Sequence, residues 1–177
     1  MRQATTWLGS NLAIGERAIP LKRGMVGWIL VVLNTLMALT SANFFLRMLK
    51  TDVVGWMMMN TCAPSIALFV IGFLLGSPAV MVAAAAIMFR YGTLGLFVFS
   101  WSGGNLIAQA GHILMTLAVV HVVADVVRHR RWKALGLGLL LGMAILIPLT
   151  IVQTMWINAN PELVEKLFSS NLMPPSQ

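Results

Sequence analysis

Residues 128–157 of the chain are RHRRWKALGLGLLLGMAILIPLTIVQTMWI, and this stretch decides the fold class. Six basic or aromatic residues are followed by 24 residues without a charged side chain. A helix of about 20 apolar residues crosses the hydrocarbon core of a bilayer. Basic residues flank such helices on the cytoplasmic side. The stretch therefore predicts a transmembrane helix from residue 134 to about residue 157, entering the membrane from the cytoplasm.

The composition of the whole chain agrees with a membrane protein. Of its 177 residues, 59% are hydrophobic and only 10% are charged, whereas about a quarter of the residues of a soluble domain are charged. The basic residues flank apolar segments and do not form a basic face with aromatics among the charges. The predicted environment is the lipid bilayer, with no nucleic-acid partner. The single cysteine, Cys62, excludes an intrachain disulfide.

Four further apolar segments precede the one quoted above. The fold class predicted from them is all-α, a polytopic integral membrane bundle of five transmembrane helices. Pro64 lies in the middle of the second segment, removes a backbone donor and should kink that helix. The four segments run from 24 to about 49, from 53 to about 76, from 79 to about 101, and from 105 to 127.

The distribution of charge predicts the orientation. The basic cluster before residue 24 and the 128–133 loop should both face the cytoplasm, so an even number of crossings separates them. Four crossings satisfy this condition only if the segment around Arg90 spans the membrane. The N-terminus is then cytoplasmic and the C-terminus lies outside, as expected for a bacterial inner membrane protein.

Three regions follow from these boundaries. Residues 1–23 are expected to form an interfacial arm, and 24–157 form the transmembrane domain. Residues 158–177 form a short extracytoplasmic tail, in which Asn160 and Pro161 are suited to start a helix carrying Leu163, Val164, Leu167 and Phe168.

Small residues in three of the spans allow helices to approach closely. We expect them to serve packing within the chain in preference to a dedicated dimer face, because such patterns are common in membrane helices. They are Gly72 and Gly76 in the second span, Ala83 to Ala86 in the third, and Gly138 and Gly142 in the fifth.

Arg90 lies at the centre of the third span. A cation at that depth is costly and is by default a functional candidate. Asp125, the other strong charge within the spans, lies about 13 Å away in depth, beyond the reach of the arginine side chain. A carboxylate on a partner, an anionic ligand, helix carbonyls or a water-filled cavity would satisfy Arg90. The alternative is that Arg90 extends to the interface and only marks a distorted helix.

A polar stripe runs along the fourth span. Asn105, Gln109, His112 and Thr116 are spaced by four, three and four residues, which places them within about 60° of one another on a helix. This face could bind a polar ligand, a quinone headgroup or a water chain, with His112 as its titratable member. We favour the simpler interpretation, in which these side chains bond to a neighbouring helix such as the Asn34/Ser41 face of the first span.

His121, Asp125 and His129 also share a helical face, which makes them weak candidates for a metal site. The surrounding arginines repel cations, so pairing of Asp125 with one of them is the favoured interpretation. His112 and His121 lie on opposite faces of their helix and cannot ligate one haem iron together. The sequence therefore predicts no metal and no cofactor.

No catalytic arrangement is recognisable in the sequence, so an enzyme is not predicted. The favoured function is a non-catalytic subunit of a larger membrane complex for transport, secretion or respiration. The alternative is a small oligomeric carrier or channel for an anion or a proton-coupled solute, lined by Arg90, the stripe and the Pro64-broken span. A haem- or quinone-binding redox anchor is a weaker alternative. Both main functions require other membrane subunits or self-association.

Overall fold

A computed structural model describes residues 24–103 and 105–165 of the chain. The predicted interfacial arm, 1–23, and the tail beyond residue 165 lie outside the described residues. The described chain is a bundle of α-helices joined by connections of at most nine residues. The helices are α1 Met25–Asn43, α2 Val53–Met59, α3 Cys62–Leu75, α4 Pro78–Met88, α5 Gly95–Val98, α6 Asn105–Arg128 and α7 Trp132–Ala159.

The apolar segments of the sequence correspond to these helices. Among the described residues, four helical stretches are long and apolar enough to cross a membrane: Met25–Met48, Pro78–Val98, Asn105–Arg128 and Trp132–Ala159. The second predicted segment is a pair of helices, α2 and α3, bent by 89° at their junction. The all-helical fold is therefore confirmed, with four such stretches, or five if the bent pair counts as one.

Helix α4 lies at the centre of the bundle, where it packs against α3, α6 and α7. Glycines allow this close contact. A Cβ atom on Gly138 of α7 would lie 2.6 Å from the carbonyl oxygen of Ala79, and one on Gly72 of α3 would lie 2.9 Å from the backbone nitrogen of Met81. The predicted use of small residues for packing within the chain is confirmed. Gly76 differs, because it ends α3 in the left-handed conformation, with φ of 65°.

Successive helices run between two ends of the bundle. The basic end holds the start of α1, the turn between α3 and α4, and the 129–131 turn. There Trp28 of α1 stacks edge-on against Phe73 of α3, with ring centroids 5.1 Å apart. The opposite end holds the start of α2 and the end of α7, where Gly55 lies beside Trp156. Together α2 and α3 therefore connect the opposite end to the basic end.

Two helices loosen into π-helical turns toward the opposite end. Residues Phe44–Met48 extend α1 and residues Phe89–Thr93 extend α4, each with a hydrogen bond from five residues later, such as Leu94 N to Phe89 O at 3.2 Å. π-turns inside α-helices occur frequently at functional sites. The second of these turns contains Arg90.

The chain turns into a new helical segment after α7. Residues 161–165 are helical, and the backbone N–H of Val164 donates to the carbonyl oxygen of Asn160 at 3.3 Å. The predicted helix start at Pro161 is confirmed. Leu167 and Phe168, which we expected on the same helix, lie outside the described residues.

Candidate functional site

Arg90 lies on the outer surface of the bundle, where its side chain is exposed. It is 12 residues beyond Pro78 and 8 residues before Val98, the two ends of the long helical stretch that contains it. At a rise of 1.5 Å per residue, these separations correspond to roughly 18 and 12 Å. The cation therefore lies near the middle of a stretch of membrane-spanning length, facing away from the rest of the chain.

The aromatic ring of Tyr91 holds the Arg90 guanidinium at this height. The guanidinium carbon is 5.7 Å from the ring centroid, within the range of a cation–π interaction. The Tyr91 hydroxyl lies 3.0 Å from the Thr150 hydroxyl of α7, which anchors the ring. Among the described residues, no carboxylate forms an ion pair with Arg90. Within the described residues, the Tyr91 ring is the group that meets its charge.

The stripe of α6 is buried and bonded to another part of the chain. The side-chain amide of Gln109 donates to the carbonyl oxygens of Phe99 at 2.7 Å and Leu96 at 3.4 Å. Its own oxygen accepts from Nδ1 of His112 at 3.1 Å. Gln109 is 1% exposed and His112 7% exposed. The polar groups of the stripe thus satisfy carbonyls where the third segment stops being helical.

The two ends of the stripe make similar contacts. Asn105 donates through Nδ2 to the hydroxyl of Ser100 at 2.7 Å, and the hydroxyl of Thr116 lies 3.1 Å from that of Thr93. The interpretation as contacts between helices agrees with these bonds, but the neighbour is the 93–100 segment. Asn34 of α1 reaches α6 at a different place, the Leu114 carbonyl, at 3.4 Å.

The ring of His112 is enclosed by the same segment. A Cβ atom on Gly95 would lie 2.7 to 2.9 Å from three atoms of the imidazole, and the ring of Phe99 is 5.4 Å away between centroids. Only glycine fits at position 95 without moving the ring. His112 is therefore packed between two chain segments, while Arg90 lies on the outer surface.

The break between α2 and α3 has a direct cause in Pro64. A proline ring clashes with the carbonyl four residues earlier, which here belongs to Asn60. Helix α2 ends at Met59, and the Asn60 carbonyl accepts instead from Ala63 N at 3.0 Å. The kink predicted at Pro64 is present, displaced by one helical turn toward the N-terminus. Pro64 itself is the third residue of α3.

Polar side chains from two other helices stabilise this break. Gln153 of α7 donates to the Met58 carbonyl at 3.0 Å and to the Thr61 hydroxyl at 3.4 Å. Ser41 of α1 accepts from both Trp56, at 3.3 Å, and Asn60. Sequence analysis did not single out Gln153. The feature that could have identified it is a long polar side chain inside the apolar 134–157 segment.

At the basic end, Asp125 of α6 contacts two residues of the turn that follows this helix, His129 and Arg131. One carboxylate oxygen is 3.1 Å from His129 Nδ1 and the other is 3.9 Å from Nε of the buried Arg131. The predicted pairing with an arginine is confirmed. His121 lies instead beside Gly27 of α1. In the described part of the chain, no three His, Cys, Asp or Glu side chains come together as a metal site.

Comparison of the chain with protein-family models, with curated proteins and with solved structures gave no match. The arrangement of its own residues therefore carries the functional argument.

Proposed function

We propose that this chain is a non-catalytic integral membrane subunit of a larger membrane complex. In this proposal it crosses a bacterial inner membrane five times, with α2 and α3 together forming the second crossing. The basic end faces the cytoplasm, because the basic 128–133 loop lies there and, in the sequence, the basic cluster before residue 24 directly precedes α1, which starts at the same end. The N-terminus is then inside and the C-terminus outside.

The exposed, mid-height position of Arg90 carries the proposal. An arginine facing lipid at the middle of a bilayer costs several kcal/mol. The values run from about 3 kcal/mol on insertion scales to above 10 kcal/mol in simulations. Charged residues within membranes accordingly face a protein interior or a water-filled cavity. In this chain the arginine faces outward. A second protein surface over Arg90 removes the cost.

The rest of the bundle supports a role as a subunit. Connections of at most nine residues between the described helices are too short to fold into a domain that binds a soluble substrate. The bundle centre is filled by fully buried apolar side chains, including Phe69, Phe73, Met81 and Met88. The buried polar stripe bonds to the 93–100 segment of the same chain. These features favour a structural role within an assembly over transport through this chain.

Purification of the tagged protein from its native host in a mild detergent, followed by mass spectrometry, tests the proposal. We expect one or more membrane proteins in constant ratio to the tagged chain. A stable homo-oligomer without other proteins would contradict it.

A carrier or channel is the second candidate, favoured by the break between α2 and α3. Broken helices form the substrate sites of many transporters, and Pro64 places this break beside Gln153 and Ser41. A homo-oligomer that transports an anion after reconstitution into liposomes, and loses transport when Arg90 is replaced by glutamine, would establish this function. A visible absorption spectrum of the same preparation tests the weaker redox-anchor alternative.

A further inference from the structure

We infer that the surface covering Arg90 is a transmembrane helix of a different protein, and that this helix presents an aspartate or glutamate to the guanidinium. The inference rests on the proposed function and specifies the chemistry of the partner. The contact joins the exposed Arg90 surface, with Phe89 and Tyr91 beside it, to a carboxylate at the same depth in the membrane.

The guanidinium of Arg90 is held at mid-depth and does not extend to either interface. In a helix the Cα–Cβ bond tilts toward the N-terminus, which here is the basic end, roughly 18 Å away along α4. An arginine side chain spans less than half of that distance, and it also falls short of the opposite end of the stretch, roughly 12 Å away. The ring of Tyr91, tied to Thr150, keeps the guanidinium carbon within 5.7 Å of its centroid. A lipid phosphate at the interface is therefore not the expected counter-ion.

The described carboxylates of a second copy of this chain do not lie at the depth of Arg90. Copies inserted in the same orientation and related by an axis along the membrane normal keep each residue at one depth. Among the described residues, the carboxylates lie near the two ends: Asp125 at the basic end, and Asp52, Glu162 and Glu165 at the opposite end. Glu16 lies outside the described residues. None of the described carboxylates therefore lies at the depth of Arg90, and a different protein is the expected source of the complementary charge.

A carboxylate is the group that best complements an arginine in this setting. The planar guanidinium offers paired donors that match both oxygens of a carboxylate. When the arginine and the carboxylate pair, each charge neutralises the other. Neither chain then bears the cost of an isolated charge in lipid. The partner helix is thus expected to carry an acidic residue near the middle of its own apolar span.

The test measures how much partner is recovered with variants of the tagged chain expressed in the native host. We expect Arg90→Gln to reduce the partner-to-chain ratio at least about tenfold, given the cost of leaving the partner's carboxylate unpaired in lipid. Arg90→Lys should retain more partner than Arg90→Gln, because it keeps the charge. Arg47→Gln is the matched control, since Arg47 is an exposed arginine in the other π-turn, close to the end of its helix. It should recover as much partner as wild type.

A charge exchange then identifies the carboxylate. Arg90→Glu should lose the partner, and replacing one mid-span acid of the partner by arginine should restore its recovery. Retention of the partner by Arg90→Gln overturns the inference while leaving the subunit proposal intact. Two copies of the chain with different tags show whether the chain binds itself. If Arg90→Gln abolishes the recovery of the second copy but of no other protein, the inference is also overturned. Absence of any partner from the wild-type preparation contradicts the proposed function itself.

Discussion

The buried stripe of α6 and the exposed Arg90 are both polar features of apolar helices, but the fold treats them in opposite ways. Gln109 and His112 are almost fully buried; Gln109 donates to carbonyl oxygens of the 93–100 segment, and its own oxygen accepts from His112. Arg90 belongs to the same long helical stretch as that segment, yet it faces outward and, among the described residues, its guanidinium contacts the ring of Tyr91.

This difference separates polar residues that stabilise the fold of the chain from polar residues that need a partner outside it. A polar group satisfied inside the chain is explained by folding alone. A cation held at mid-height on the outer surface is not, since leaving it in lipid is costly. Variants of the stripe should therefore change the stability of the isolated protein, whereas variants of Arg90 should change its assembly.

The largest effect on stability is expected from Gly95→Ala. The new methyl group would lie 2.7 to 2.9 Å from three atoms of the His112 ring, so the ring or the 93–100 segment must move. Overpacking of this kind costs about 1 to 3 kcal/mol. Thermal unfolding in detergent should show a lower midpoint. The control is Gly136→Ala, because a Cβ atom on Gly136 meets no atom within 4 Å. Equal midpoints for the two variants would contradict this packing.

Gln109→Leu should have the next largest effect. The substitution leaves the Phe99 carbonyl and Nδ1 of His112 without their partner in a buried site. An unpaired buried polar group costs about 1 to 3 kcal/mol, so the unfolding midpoint should fall by several degrees. Recovery of the partner should stay close to wild type once the protein is folded. A variant as stable as wild type would show that the stripe is not structural, and would favour a binding role.

Tyr91→Phe should have a small effect on stability. It removes the hydroxyl that lies 3.0 Å from Thr150 but keeps the ring beneath Arg90. Hydrogen bonds between membrane helices contribute about 0.6 kcal/mol on average. Unfolding in detergent should therefore shift only slightly. A large loss of stability would indicate that this bond holds α7 to the third segment.

The smallest effect on stability is expected from Arg90→Gln in the isolated protein. The side chain is exposed and forms no ion pair within the described residues, so its removal leaves the core unchanged. We expect the unfolding midpoint in detergent to change by no more than about 2 °C, since a change of 1 kcal/mol corresponds to roughly 2 to 4 °C at this size. A fall in the unfolding midpoint as large as that of Gln109→Leu would show that Arg90 stabilises the fold. The contrast between Arg90 and the buried stripe would then be wrong.

Sequence patterns predicted the positions of the helical segments because apolar length and flanking charge are local properties. The last segment, expected over residues 134–157, is the helix Trp132–Ala159. The pairing of Asp125 with Arg131 was also predictable, because the two residues are close along the chain. Sequence analysis offered a distorted helix at Arg90 as an alternative, but hydropathy does not distinguish α- from π-helical turns, so the π-helical turn itself was not identified.

The neighbours of each polar face were harder to predict, since they depend on how helices are arranged. Periodicity placed Gln109 and His112 on one side of a helix, but it did not identify the 93–100 segment as the partner of that side. The bend of the second segment was predicted from Pro64, yet its position follows from the clash with the Asn60 carbonyl, four residues earlier. The outward direction of Arg90 likewise required the packing of its neighbours.

Photo-crosslinking beside Arg90 in the living host tests the central claim most directly. A benzophenone-bearing phenylalanine at position 89, which is 51% exposed, should crosslink to one membrane protein in high yield. The same residue at position 120 of α6, which is 59% exposed, samples a surface without an exposed cation nearby in sequence. A discrete protein adduct at position 89 is the predicted result. Adducts with lipid alone at position 89 would contradict the claim that a partner covers Arg90.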